Sequence, residues 1–166
     1  MRINTAALVA GAITLSVSTP SLAQNQRQSP PPRVVGGVQV DQVTQAPLRV
    51  VRGIYLNATP AETFDVVSSA DRFVEFVDMV DSVRVSGSGD RGTTRTFRLA
   101  NGAQVAERVV AYNEPRDDAG GSFAFSLAPD NPFGMSDHLA VLDVQPAEGG
   151  GAYLQIHHFF NHEDAA

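Results

Sequence analysis

Residues 92–112 read GTTRTFRLANGAQVAERVVAY, and this stretch decides the fold. Two runs rich in Thr, Val, Phe and Tyr flank Ala100-Asn101-Gly102, whose residues suit a tight reversal. Successive strand residues point to opposite sides of a sheet. Arg95, Phe97 and Leu99 therefore share one face of the first strand. Ala103, Val105, Glu107, Val109 and Ala111 share one face of the second. Burying both apolar faces together fixes the register. It requires a three-residue loop with Gly102 in the left-handed region. Leu99 is then expected opposite Ala103, Phe97 opposite Val105, and Arg95 opposite Glu107. An arginine and a glutamate thus face each other on the side expected to be buried, either as a structural ion pair or as a polar spot in a cavity.

Composition narrows the classes of function. The chain has 166 residues, enough for one domain of ordinary size, and its 43% hydrophobic content supports a real core. A net charge of −6 leaves no basic stripe to neutralise phosphates, which argues against nucleic acid. All 12 basic residues are arginine, so Schiff-base and pyridoxal-phosphate chemistry on a lysine of this chain is excluded. With no cysteine, thiol catalysis, disulfides and Cys-ligated zinc are excluded too. No cofactor is expected.

The N-terminus combines Arg2, an apolar run through Leu15, and Pro20-Ser21-Leu22-Ala23 with small residues before Gln24. This is the pattern of a cleaved secretory signal peptide over residues 1–23, cut after Ala23. The run is too short and too interrupted for a membrane anchor, so the mature protein is expected to be soluble in a bacterial-type periplasm or secreted. Residues 24–47 carry Pro30-Pro31-Pro32 and read as a flexible Pro-rich linker. Arg33-Val34-Val35-Gly36-Gly37 mimics a serine-protease activation junction, but no Gly-Asp-Ser-Gly motif accompanies it.

From residue 48 the chain reads as a domain. Leu48–Asn57 is a first strand. Thr59-Pro60-Ala61-Glu62 is a helix start with a capping box and proline at the first helical position. That helix is expected to stop near Ser68-Ser69. A second short helix follows, with Phe73, Val74, Phe76 and Val77 partly inward. Strands are then expected over residues 79–85, in the opening hairpin, and over 122–127, 138–145 and 153–160. Phe123, Phe125 and Leu127 share a face, as do His138, Ala140, Leu142 and Val144. For the last strand, Leu154, Ile156, His158 and Phe160 are taken as inward. The order is an α+β chain with a mainly antiparallel sheet curling around a cavity.

Taken together, the first strand, Ala-Thr-Pro-Ala-Glu-Thr-Phe, Gly-Thr-Thr-Arg-Thr-Phe, Asn-Gly and Val-Ala-Glu-Arg-Val-Val-Ala-Tyr resemble the START-like (SRPBCC) superfamily. The polyketide cyclase/dehydrase-like proteins and the plant abscisic acid receptors are the most similar groups. The resemblance spans residues 48–160 and defines a domain over 48–166. It implies a helix-grip fold, with a sheet wrapped around a long C-terminal helix. It also implies that Arg95 and Glu107 face the cavity, that residues 99–104 form a gate, and that residues 134–138 form the loop meeting it. Asp137-His138 stands where other members carry pairs such as Asn-Tyr. Only residues 161–166 follow the last strand. The C-terminal helix is therefore expected to be missing, through truncation or with its place taken by a second copy or the N-terminal segment.

The expected ligand-binding residues are Arg95, Phe97, Leu99, Val105, Glu107, Val109, Phe125, His138, Ala140 and Leu142. Glu107 and His138 are the acid–base candidates. A paired arginine is expected to lower the glutamate's pKa and make it a poor base. The bland alternative for His138 is a wall residue bonded to the backbone. His157, His158, His162, Glu163 and Asp164 suggest a metal cluster, but neighbours on a strand point to opposite faces, so no metal site is expected. The leading expectation is an exported protein binding a hydrophobic small molecule such as a lipid, polyketide or aromatic. The alternatives are a polyketide cyclase/dehydratase-type enzyme, or a periplasmic accessory protein that assists a dehydrogenase. Expected partners are the small molecule and, beyond it, a homodimer mate or a periplasmic protein.

Overall fold

The computed structural model describes residues 31–116 and 119–162. The signal-peptide expectation, the polyproline stretch up to Pro30 and the acidic residues Glu163 and Asp164 lie outside the described residues, as does any chain beyond His162 in which a C-terminal helix would be sought. In order, the elements are β1 (Val34–Val35), β2 (Val38–Gln39), a 3-10 turn (Val40–Gln42) and β3 (Leu48–Leu56). Then come α1 (Pro60–Ser68), α2 (Ala70–Phe76), β4 (Val80–Ser86), β5 (Thr94–Leu99) and β6 (Gln104–Asn113). β7 (Gly121–Leu127), β8 (Met135–Pro146) and β9 (Ala152–His162) complete the chain. β3 to β9 form one seven-stranded antiparallel sheet in the order β3-β9-β8-β7-β6-β5-β4. This is the expected α+β helix-grip arrangement, with both helices on one face, here called inner.

The opening hairpin has the register that burial demands. Arg95 pairs with Glu107 and Phe97 with Val105. The Leu99 N–H donates to the Ala103 carbonyl at 2.8 Å, and Gly102 holds φ +86°. α1 begins where its cap chemistry puts it. The Thr59 hydroxyl accepts from the Glu62 N–H at 3.2 Å, and the Thr59 N–H donates to the Glu62 carboxylate at 2.9 Å. Ser69 ends α1 and caps α2. α2 turns Phe76 outward, 62% exposed, where a partly inward position is expected from the sequence.

Two bulges re-aim side chains that strict alternation places wrongly. In β6 the register slips between Val109 and Ala111. Val109 stays inward, Ala111 moves to the outer-face cluster, and Tyr112 turns inward against Phe64 and Phe123. In β8, Ser136 pairs with Asn161 but Leu139 pairs with Phe159, so β8 carries one extra residue there. Met135 and His138, of opposite parity, both reach the inner face as a result.

Residues 33–46 pack onto the domain, so the linker expected up to residue 47 is corrected over this part. Val38, Val40 and Ala46 bury themselves against Ala124, Leu139, Val141 and Phe159. These side chains alternate with the inner-face residues Phe123, Ala140 and Leu142, so the segment covers the outer face. It is not the cover for the inner face that the sequence reading allows. The Gly-Gly pair of the protease-like motif is the β1–β2 turn, with φ +53° and +74°. A Cβ on Gly36 would meet the Ser122 Cβ at 2.8 Å, so the close approach needs glycine. Arg33 ties the strap together: its side chain donates to Asp41 at 2.6 Å, to the Thr44 carbonyl at 3.0 Å and to the Ala46 carbonyl at 3.1 Å.

Candidate functional site

The inner face is divided by α1. Phe64, 3% exposed, lies on Val109, Phe123, Ala140, Leu142, Val144 and Leu154 and fills that end of the sheet. Val109, Ala140 and Leu142, expected to line a ligand site, are therefore core residues beneath the helix. They share this buried cluster with Phe64 of α1, which packs on β7, β8 and β9.

Beyond α1, towards β4–β6 and the β7–β8 loop, a cavity of about 300 Å³ remains. Phe97, Leu99, Val105, Glu107, Phe125 and His138, named from the sequence as candidate ligand-binding residues, line it. Phe73, Val77, Met79, Val80, Leu127, Phe133, Met135 and His158 complete the wall. Of these, Leu127 and His158 were legible as inward faces of strands. Phe133 and Met135 were not, because loop chemistry and a bulge place them.

The rim is apolar and exposed: Phe73 is 37%, Phe133 41% and Met79 57% accessible. Phe73 packs on Phe97 at 5.4 Å between ring centroids. The hairpin turn forms one side of the rim, where the Ala100 N–H donates to the Met79 carbonyl at 2.9 Å. The β7–β8 loop forms another. It is held by Asn131, whose side-chain amide donates to the Ala128 and Met135 carbonyls at 2.8 and 2.6 Å. The Asn131 side-chain oxygen accepts from the Phe133 N–H at 3.2 Å. Sequence reasoning missed Asn131, although an asparagine before Pro-Phe-Gly is a turn signal.

Arg95 and Glu107 are both 5% exposed and bonded to each other through the Arg95 Nε and Nη2 groups. Arg95 Nη1 also donates to the Ser68 carbonyl at 3.0 Å, at the last residue of α1. The guanidinium stands 4.3 Å from the centroid of the Phe123 ring and 5.6 Å from those of Phe97 and Phe125. Arg95 does not reach the cavity, whereas Glu107 forms part of its wall. Burial pushes the Glu107 carboxyl up to about 7, against the pull of Arg95, and lowers Arg95 from its ordinary value. The expectation that the arginine prevails is corrected: removing both groups from water is the larger effect.

His138, on β8, is 5% exposed. Its Nε2 is bonded to His158 Nδ1 at 3.2 Å, and its Nδ1 is buried without a partner among the described residues. Its ring lies on Phe125 and His158 at 5.9 and 5.5 Å. Its polar contact is thus another imidazole. Burial, and secondarily His158, pushes His138 down to about 4, and burial also lowers His158. Burial thus favours the neutral form of both imidazoles. His157 faces the other way, accepting from Arg49 Nη2 at 2.9 Å, so the adjacent histidines serve opposite faces. Among the described residues, no three His, Asp or Glu side chains come together to hold a metal ion, and no helix is long and apolar enough to cross a membrane.

Asp137 sets the position of His138. It alone among the described non-glycine residues has a positive φ, at 50°, within the bulge. Two bonds from the strap hold it: the Thr44 hydroxyl donates to the Asp137 carbonyl at 2.7 Å, and the Gln45 N–H donates to its carboxylate at 3.0 Å.

Residues 47–163 match the sequence profile of the family described as polyketide cyclase/dehydrase and lipid transport. No curated protein matches the chain in sequence. Among solved structures, a Thermobifida fusca protein is 22% identical, with a TM-score of 0.57 over 70% of this chain and 75% of that one. Norcoclaurine synthase from Thalictrum flavum, in complex with dopamine and hydroxybenzaldehyde, is 12% identical, with a TM-score of 0.55 over 77% and 76%. The protein Ara h 8.0201 is 16% identical, with a TM-score of 0.54 over 72% and 80%. At these identities the likeness is one of fold.

Proposed function

Because the chain belongs to the polyketide cyclase/dehydrase and lipid transport family, we propose that it binds a compact hydrophobic small molecule in the cavity between α2, the hairpin turn and the β7–β8 loop. The observation that carries this reading is the wall itself, in which aliphatic and aromatic side chains surround three polar residues: Glu107, His138 and His158. Small-molecule sites have this make-up, an apolar lining with a few placed polar groups. At about 300 Å³ the space suits two or three rings better than a long acyl chain. A likeness in fold to a norcoclaurine synthase structure that holds two small aromatic molecules supports the same scale. The test is titration with the neutral fluorophore N-phenyl-1-naphthylamine. Saturable binding is expected in the native protein and its loss in Leu127→Asp, whose charge would enter the cavity.

A second reading is favoured by one observation. Glu107 lies on the cavity wall with its carboxyl raised to about 7, the range in which a carboxyl exchanges protons at neutral pH. A cyclase- or dehydratase-type reaction would use it for proton transfer. Turnover of a polyketide-like substrate that collapses in Glu107→Gln supports this reading, and equal turnover in the variant removes it.

We place this binding outside the cytoplasm, in a bacterial-type periplasm, on the basis of the N-terminal pattern over residues 1–23. Expression of the full chain in a Gram-negative host should give periplasmic protein beginning at Gln24. Retention of the intact N-terminus in the cytoplasm would remove that assignment.

A further inference from the structure

We infer that the His138–His158 pair is a subsite for an uncharged hydroxyl group, so that the ligand is a neutral phenol or alcohol on a compact apolar body. This rests on the cavity reading above and specifies it.

Each of the two neutral imidazoles carries one N–H and one bare nitrogen. One N–H is consumed between them, in the 3.2 Å contact of His138 Nε2 with His158 Nδ1. Two nitrogens remain, His138 Nδ1 and His158 Nε2. If His138 donates, its Nδ1 is a bare acceptor and His158 Nε2 carries a proton. If His158 donates, the roles reverse. In either tautomer the pair ends in one donor and one acceptor. A hydroxyl both donates and accepts, so it complements whichever end it meets. An ether or ketone only accepts, and it fits one arrangement alone.

The surroundings sharpen the choice. The His138 Nδ1 is buried and has no partner among the described residues, and an unmet buried polar atom is costly. The bulge at Asp137 turns His138 into the cavity at that cost, held by two bonds from the strap. Such a feature fits a binding role better than a packing role, for which a leucine would serve. Charge is excluded on the same ground. The cation on this face, Arg95, is already bonded to Glu107 and the Ser68 carbonyl. A ligand carboxylate would enter an apolar cavity beside Glu107, and no arginine is among the described residues that line it.

The test displaces N-phenyl-1-naphthylamine with three probes that share one ring system: naphthalene, 2-naphthol and 2-naphthoate. In the native protein 2-naphthol should bind about five- to tenfold more tightly than naphthalene, with 2-naphthoate the weakest. In His158→Leu and in His138→Phe the ratio of naphthol to naphthalene affinity should fall to about one. Equal affinities in the native protein, a preference that survives both substitutions, or 2-naphthoate as the tightest probe would each overturn the inference. The cavity reading fails separately, if the fluorophore itself does not bind; the subsite fails alone if the fluorophore and naphthalene bind and naphthol gains nothing.

Discussion

Thr44, on the outer face of the sheet, donates its hydroxyl proton to the main-chain carbonyl of Asp137 at 2.7 Å, one residue before the cavity histidine His138. The same hydroxyl accepts from the Ala46 N–H at 2.9 Å, so both its functions are used within the protein. Through this bond the strap over one face sets the geometry of a wall residue on the other.

Thr44→Val removes the hydroxyl and nearly preserves the shape. It should cost about 1–2 kcal/mol in denaturant unfolding, since a buried carbonyl and a buried N–H both lose their partner. It should also move the His138 ring resonances and its pKa, and Thr44→Ser should restore both. Thr44 acts on His138 from outside the cavity wall. A stability loss with unchanged His138 resonances would mean that the strap only supports the sheet.

For the ion pair, Arg95→Met or Glu107→Leu alone should destabilise by about 3–5 kcal/mol, because each strands its partner's charge in the core. The double substitution should recover most of that loss. Chemical denaturation of the four proteins in a double-mutant cycle gives the coupling. Additive losses would show that the two groups are stabilised independently.

The pH dependence has two opposing parts. His138 has a folded pKa near 4 against an ordinary 6.5, so the unfolded chain binds the proton first. Its contribution is complete above pH 6.5 and is lost as pH falls through 4, by ~3 kcal/mol in all. Glu107 has a folded pKa near 7 against 4.5. Its contribution is complete below pH 4.5 and is lost as pH rises through 7. Unfolding measured from pH 4 to 8 should therefore show acid destabilisation weakened in His138→Phe, and stability above pH 6 less sensitive to pH in Glu107→Gln. Parallel curves for all three proteins would contradict these assignments.

The division of the inner face predicts a contrast between two phenylalanines. Phe64→Ala should cost about 3–5 kcal/mol, because it empties the core beneath α1. Phe133→Ala, at a 41% exposed rim position, should cost under about 1 kcal/mol but weaken binding of N-phenyl-1-naphthylamine several-fold. Thermal melts and fluorescence titrations of both variants check the contrast.

The hairpin register, the cap of α1 and the inward faces of β7 to β9 were legible because each follows from local chemistry or from a strict period of two. The strap was not. Its two-residue strands have no period to read, and their burial depends on an outer face presented by distant strands. The bulges at Val110 and Asp137 were hidden for a related reason: alternation assigns Ala111 and Met135 to the wrong faces until an extra residue is known. Val109, Ala140 and Leu142 looked no different from Val105 and Phe97 in sequence. Only the placement of Phe64 separates packed core from open cavity.

The most direct test of ligand binding in this cavity is a methyl-detected NMR titration of the protein with N-phenyl-1-naphthylamine. Saturable shifts are expected at Leu99, Val105, Leu127 and Met135, with Val109, Ala140 and Leu142 undisturbed. Absence of saturable shifts, or shifts centred on the residues beneath Phe64, would contradict it.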